Sequence, residues 1–394
     1  MLFNARTYLC LQRCKDANNY SISQYLKYGI LGNKIVNMNS TDSFKYIAKK
    51  LADWYNENKR DLPWRDITDP YRIWISEIIL QQTRVHQGLS YYIRFIERFP
   101  TIKMLAEADE DSVLKYWQGL GYYTRARNLH KAARQIMSSF NGIFPTEHSD
   151  IIKLAGIGEY TAAAISSFAY NQPYAVVDGN VYRVISRLFN IHTPIDSNSG
   201  KKEIALLAQN LLSKSQPAIH NQSLMEFGAL QCVPSSPDCT ICPLQSICIA
   251  FEKNTVTLLP VKSQKKKSTH RFFNYLFINY QDTTYLQKRV AKDVWQNLFE
   301  FPLIESDRLL SASELIEDIA FKSIFNKVNE IEVHKISNPM KHILSHRVIF
   351  AQFFSIKISE ENETLKQFVQ VPLAEIDRYA VSRLMEIFLE LELD

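Results

Sequence analysis

The chain has 394 residues, of which 46% are hydrophobic and 22% charged, with a formal net charge of +5. This length exceeds one ordinary hydrophobic core and predicts two or three folded units. The composition excludes a wholly disordered chain, and no apolar run is long enough to span a membrane. The mild basicity fits a polyanionic partner without selecting one. Residues 1–40 carry Arg6 and Arg13 but no sustained apolar stretch, so they read as an N-terminal extension and not as a signal peptide. From Asp42 to about Phe251 the apolar residues follow a helical period. Phe44, Ile47, Ala48, Leu51 and Trp54 begin it, Ile73, Ile75, Ile78 and Ile79 continue it, and Pro100, Asn141-Gly142 and Pro145 punctuate it. Strand alternation is scarce, so residues 41–261 are expected to form an all-α domain. Residues 262–271 are polar and basic and read as a linker. Beyond it, 272–280, 284–288 and 346–358 read as strands and 311–319 as a helix. Leu384, Ile387, Phe388 and Leu391 predict a closing helix, which makes residues 272–394 a separate α+β domain.

Three constellations carry chemistry. Cys232, Cys239, Cys242 and Cys248 crowd into C-x6-C-x2-C-x5-C, apart from Cys10 and Cys14. Four thiolates in tetrahedral reach suit either a structural zinc ion or a 4Fe–4S cluster, and the cysteines alone leave both open. The run Leu154 to Ile165 reads as a helix–hairpin–helix. Gly156 and Gly158 permit its tight turn, and the helix N-terminus that follows can hold a phosphate without reading sequence. Two acids have telling neighbours. Glu77 lies among Trp74, Ile75, Ile78 and Ile79, where an apolar setting raises a carboxyl pKa and suits a general acid. Asp178 follows a short apolar run and precedes a helix. Taken singly, Glu77 also fits the polar side of an amphipathic helix and Asp178 a helix N-cap.

Taken together, LPWR at 62–65, WISEIILQQT at 74–83, GLGYYTRARNL at 119–129, the hairpin, VDGNV at 177–181 and the four cysteines occur in one order. That order resembles the MutY family of the endonuclease III superfamily, over roughly residues 51–251. The resemblance implies a helix–hairpin–helix glycosylase with a 4Fe–4S cluster on the four cysteines. Its partner would be double-stranded DNA with adenine opposite 8-oxoguanine or guanine, and its reaction hydrolysis of the adenine N-glycosidic bond. By the same resemblance Glu77 protonates the departing base and later activates water. Asp178 faces the sugar cation, Asn180 orients Asp178, and Tyr160 stands beside the reacting sugar. Trp64 falls at a DNA-binding position, and Arg65 and Gln222 fall where family members line the adenine pocket; Gln222 is an amide where some relatives carry a carboxylate. Gln82, Thr83, Leu120, Gly121 and Tyr122 match positions that contact or intercalate beside the opposite base. Bifunctional relatives carry a lysine at the Tyr160 position for Schiff-base chemistry, so this chain is expected to be monofunctional.

The C-terminal region resembles the Nudix-like part of the same family, beginning at Tyr285 to Arg289 and Val294 to Pro302. It lacks the R-E-x-x-E-E run of catalytic Nudix domains, which implies lesion recognition. Ser345 and His346 match an F-S-H loop that contacts 8-oxoguanine, with Leu344 in the phenylalanine position. Ser345 is expected to accept a hydrogen bond from the N7–H that only the oxidised base carries. The alternative reading, a non-catalytic iron–sulfur DNA-binding protein, is disfavoured by retention of both Glu77 and Asp178. The chain is expected to act as a monomer without a membrane, in the bacterial cytoplasm at the nucleoid.

Overall fold

A computed structural model describes residues 40–263, 268–335, 337–344 and 346–392. Cys10, Cys14 and Ser345 therefore lie outside the described residues. By their internal contacts the described residues divide into two compact units, one within 40–77 and 144–263, the other within 78–143 and 268–392.

The first unit is helical among its described residues. The long helices Ser40–Asn58, Glu159–Tyr170, Gly179–Leu188, Asn198–Leu211 and Pro217–Leu230 pack their apolar faces into one core. Leu51, Val181, Val184, Ile185, Leu188, Leu207, Leu224 and Phe227 are its buried centre. Helix starts follow local chemistry. Ser197 accepts from the Gly200 amide, and Asp178 accepts from the Val181 amide, each satisfying an orphan donor of the first turn. The Glu159–Tyr170 helix ends on Asn171 in the left-handed conformation, φ 51°. Gly228 is required by close approach. A Cβ there would stand 2.7 Å from Asn180 Cβ, so only glycine lets the Pro217–Leu230 helix press against the turn that follows Asp178.

The second unit joins helices Val85–Arg98, Ile102–Glu107, Glu110–Trp117 and Thr124–Ser139 with an α+β region. Its strands are β1 (Thr269–Asn279), β2 (Thr283–Lys288), β3 (Phe299–Glu300), β4 (Leu303–Ser306), β5 (Ile331–Lys335), β6 (Met340–Ile343), β7 (Arg347–Ile358) and β8 (Val369–Pro372). The larger sheet has the order β4-β1-β7-β5, with β6 also paired to β7, and β3-β2-β8 form the smaller one. β1 and β7 run parallel, Phe273 opposite Ala351 and Tyr275 opposite Phe353. Both strands are buried on two faces, and their side chains alternate between two cores as the pleat requires. Phe273, Tyr275, Phe277, Ile349, Ala351 and Phe353 meet the closing helix Arg383–Glu392 through Leu384, Met385 and Phe388. Leu276, Ile278, Phe354, Ile356 and Ile358 face Leu315, Phe321 and Phe325 on the other side.

Three departures from the expected elements have local causes. β1 begins at Thr269, inside the segment read as linker. Arg271 is fixed there by Asp293 at 2.8 Å and Glu305 at 2.6 Å, so this basic residue is a structural ion-pair partner. The helix expected over 311–319 is two helices, Ala312–Glu317 and Ile319–Ile324. Asp318 is extended and caps the second by accepting from Ala320 at 2.8 Å. Strands β3 to β6 and β8 are short or irregular, and carry no alternation long enough to read.

Candidate active site

Glu77, Tyr160 and Asp178 come together in the first unit. Glu77 sits in the helix Pro70–Ile79 among isoleucines and Trp74 and is 7% exposed. Burial pushes its carboxyl up to about 7, against the Tyr160 hydroxyl and the Arg65 charge, which pull it down; Asp178 adds to the rise. Tyr160 lies in the first turn after the hairpin and donates its hydroxyl to Glu77 Oε2 at 2.7 Å. Burial and the adjacent carboxylates hold the phenol well above its ordinary range, so Tyr160 acts as a donor.

Asp178 is also buried, and burial raises its pKa, opposed by the groups that bind it. Its Oδ1 accepts from the Val181 amide at 2.7 Å and its Oδ2 from Asn180 Nδ2 at 2.7 Å. The helix-cap reading of Asp178 holds: the backbone bond fixes the carboxylate, and its second oxygen meets Asn180. Asn180 in turn accepts from Arg183 at 2.9 Å, and Arg183 Nε donates to the Cys232 carbonyl at 2.7 Å. A continuous hydrogen-bonded chain thus runs from the acid to the first cysteine.

A second polar cluster surrounds a carboxylate that the sequence reading missed. Glu226 is buried on the Pro217–Leu230 helix and is gripped by Arg60 Nε at 2.7 Å and Arg65 at 3.1 Å. Burial works to raise its pKa, but the two arginines outweigh burial and hold it below the ordinary range. Gln222, one turn earlier, accepts from Tyr55 OH at 2.8 Å, and Arg65 donates to the same hydroxyl at 3.2 Å. The amide at Gln222 drew attention in the sequence, yet the carboxylate of this cluster is Glu226. Its signal was the i, i+4 spacing from Gln222 on one helix face. Trp64 is buried beside Arg65 in sequence, and Arg65 ties this cluster to Glu77 electrostatically.

The hairpin has the expected geometry. Gly156 adopts φ 74°, a left-handed value, Ile157 N–H closes onto the Leu154 carbonyl at 3.1 Å, and Gly158 N-caps the helix with open space in front of it. Such a turn presents backbone amides and a helix N-terminus to a phosphate.

Cys232, Cys239, Cys242 and Cys248 form no disulfide with one another and line one cavity together with Arg187. Among the described residues, no three histidine, cysteine or carboxylate side chains converge as ligands of one metal ion. Burial pushes the Cys242 thiol up to about 12 and that of Cys248 to about 11, so only a strong local positive charge would keep them as thiolates. Arg187 fastens the loop by donating to the Val233 carbonyl at 2.7 Å, the Pro234 carbonyl at 2.9 Å and Cys232 Sγ at 3.4 Å.

The remaining site residues belong to the second unit. Gln82 and Tyr122 both hold left-handed backbones, φ 55° and 49°, and Tyr122 is 49% exposed. Leu120 is buried, and Gly121, at φ 72°, faces open space, while Thr83 donates its hydroxyl to the Gln81 carbonyl at 3.3 Å. His346 is exposed between β6 and β7, where Leu344 N–H donates to the Arg347 carbonyl at 2.8 Å. What holds Arg347 comes from distant residues. Arg347 pairs with Asp293 at 2.7 Å, and Asp293 also gathers Arg271 and Arg289.

A helical fold with this hairpin and buried acid pair defines a class of DNA glycosylases, and comparison with known proteins agrees. Residues 75–213 match the HhH-GPD superfamily of base excision DNA repair proteins, and residues 274–391 match the NUDIX domain. A thermostable thymine-DNA glycosylase of known structure superposes with a TM-score of 0.50 at 28% identity, covering 55% of this chain and all of its own. The chain is 38% identical to the adenine DNA glycosylase of Buchnera aphidicola subsp. Baizongia pistaciae, over 76% of this chain and 83% of that protein. It is 33% identical to that of Arabidopsis thaliana, over 85% of this chain and 61% of that protein. The chain belongs to the adenine DNA glycosylase (MutY) family and is a base-excision repair glycosylase. Among its described residues no helix is long and apolar enough to cross a membrane.

Proposed function

We propose that this glycosylase hydrolyses the N-glycosidic bond of adenine opposite 8-oxoguanine or guanine in duplex DNA, and leaves the strand uncut. The observation that carries this reading is Glu77, buried and held near neutrality beside Tyr160. Adenine departs readily only when it is protonated. A carboxyl with a pKa of about 7 keeps a protonated population at physiological pH and can deliver that proton to the base. As the bond breaks, the sugar gains oxocarbenium character, and Asp178 supplies the facing negative charge. The two acids sit in different environments. Glu77 has one hydroxyl donor, whereas Asp178 has the Val181 amide, Asn180 and the Arg183 charge to favour its anion. Glu77, ionised after proton transfer, then takes a proton from the attacking water. Tyr160 occupies the place of a Schiff-base lysine and has no amine to form one, which supports hydrolysis without strand cleavage.

The base must leave the helix to reach Glu77. Gln82, Thr83, Leu120, Gly121 and Tyr122 supply the wedge and the contacts to the opposite base, Arg65 and Gln222 the pocket, Trp64 a further DNA contact, and Gly156 and Gly158 the phosphate hold. Residues 272–394 recognise the lesion through Ser345 and His346; Asp293 secures the neighbouring Arg347. The four cysteines line one cavity, and by the family resemblance they would hold a 4Fe–4S cluster. When bound, that cluster braces the loop of residues 232–248. The enzyme is read as a monomer.

The test is a product assay on duplexes with A:oxoG, A:G, A:C and thymine glycol. The expected result is adenine release from A:oxoG and A:G, with strands that break only after alkali or heat. Release from thymine glycol, or nicking without alkali, would contradict it.

A further inference from the structure

Gln82 and Tyr122 stand on two separate turns, and each turn is strained. Gln82 has φ 55°, Tyr122 φ 49° and Gly121 φ 72°. A non-glycine residue stays in this region only where its surroundings fix it. One side chain reaches both turns. Arg125 Nη1 donates to the carbonyls of Ile78 at 2.8 Å, Ile79 at 3.0 Å and Gln81 at 2.7 Å. Its Nη2 donates to the carbonyls of Leu120 at 3.3 Å and Gly121 at 3.2 Å. The first group includes the last carbonyls of the Pro70–Ile79 helix, which have no partner within the helix and present the negative end of its dipole.

The guanidinium also lies 5.1 Å from the Trp117 ring and 5.7 Å from the Tyr122 ring, and Trp117 Nε1 donates to the Gly121 carbonyl at 3.2 Å. A planar fork of five donors can serve two converging sets of carbonyls, whereas an ammonium on a flexible stem cannot. Burial lowers the Arg125 pKa to about 10, so the group stays cationic at neutral pH.

We propose that Arg125 is the positioning residue of the DNA wedge. By tying the Gln82 turn to the Gly121–Tyr122 turn, it makes the two probes one rigid body, so that extrusion of the target base and contact with its partner occur together. Arg125 need not touch DNA, and it acts through the two turns. This inference rests on the wedge assignment given above.

The test compares single-turnover base release, at saturating enzyme, from two duplexes. One carries adenine opposite 8-oxoguanine, and the other adenine opposite an abasic-site analogue, where no partner base resists extrusion. Arg125→Met is expected to lose about tenfold or more additional rate on the first duplex than on the second, as misorientation remote from the chemistry can cause. Arg125→Lys should lie between Met and wild type, and it carries the same comparison if the methionine variant fails to fold. Equal losses on both duplexes would reduce Arg125 to a general stabiliser and overturn the proposal. If the wild type releases adenine from neither duplex, the functional reading itself fails and takes this inference with it. Wild-type activity with equal losses in the variants sinks the Arg125 proposal alone.

Discussion

Glu77→Gln is expected to lower single-turnover adenine release by about 10³-fold, within the range found for loss of a general acid, while mismatch binding stays near wild type. The amide preserves the shape of the side chain and still offers an oxygen to the Tyr160 hydroxyl, which now donates to Glu77 Oε2 at 2.7 Å. What it lacks is a proton to give. Replacing a buried carboxyl by an uncharged amide removes no compensating charge, so the melting temperature should not fall. Gel-shift titration on the mispaired duplex separates the two effects. A glutamine variant with a rate within a few-fold of wild type would remove Glu77 from the chemistry.

Asp178→Asn should cost about 10²- to 10³-fold, the scale of losing one preorganised electrostatic partner of a developing charge. The substitution is chosen because asparagine is as good an N-cap as aspartate. It can still accept from the Val181 amide, a bond of 2.7 Å in the native chain, so the Gly179–Leu188 helix keeps its start. The loss then reports the missing negative charge and not an unravelled helix. Circular dichroism and a thermal melt alongside the rate measurement make the distinction. If activity persists, Asp178 is only the cap that its local sequence allows.

Much of the site was readable from the chain because its chemistry is local. The hairpin needs Gly156 at a left-handed φ, Asp178 stands where a helix must start, and Glu77 sits in an unbroken apolar stretch whose burial raises its pKa. The four cysteines are close in sequence and line one cavity. What stayed hidden depends on distant pairing. Glu226 is an ordinary helical glutamate until Arg60 and Arg65 arrive from some 160 residues away. Arg125 reads as one more basic residue on an amphipathic helix, and its bonds to the carbonyls of Ile78, Ile79 and Gln81, more than 40 residues earlier, appear only in the fold. Asp293 likewise gains its meaning from Arg271, Arg289 and Arg347. In the α+β region the long strands β1 and β7 were legible, since buried parallel strands are continuously apolar. The short strands were not, because two to five residues hold too little pattern to separate a strand from a loop. The helix break at Asp318 was written in the sequence as a capping aspartate and was masked by apolar residues on both sides.

The claim on which the account turns is that Glu77 enters the reaction protonated because burial holds its pKa near 7. The most direct measurement is the pH dependence of single-turnover adenine release from the A:oxoG duplex, from about pH 6 to about pH 9. The active form is the neutral acid, present below its pKa and lost as pH rises through it. The rate should therefore be level at the acidic end, bend near pH 7, and fall about tenfold per pH unit beyond. A rate that stays constant or rises from pH 7 to the alkaline end would show that the proton on adenine does not come from this carboxyl.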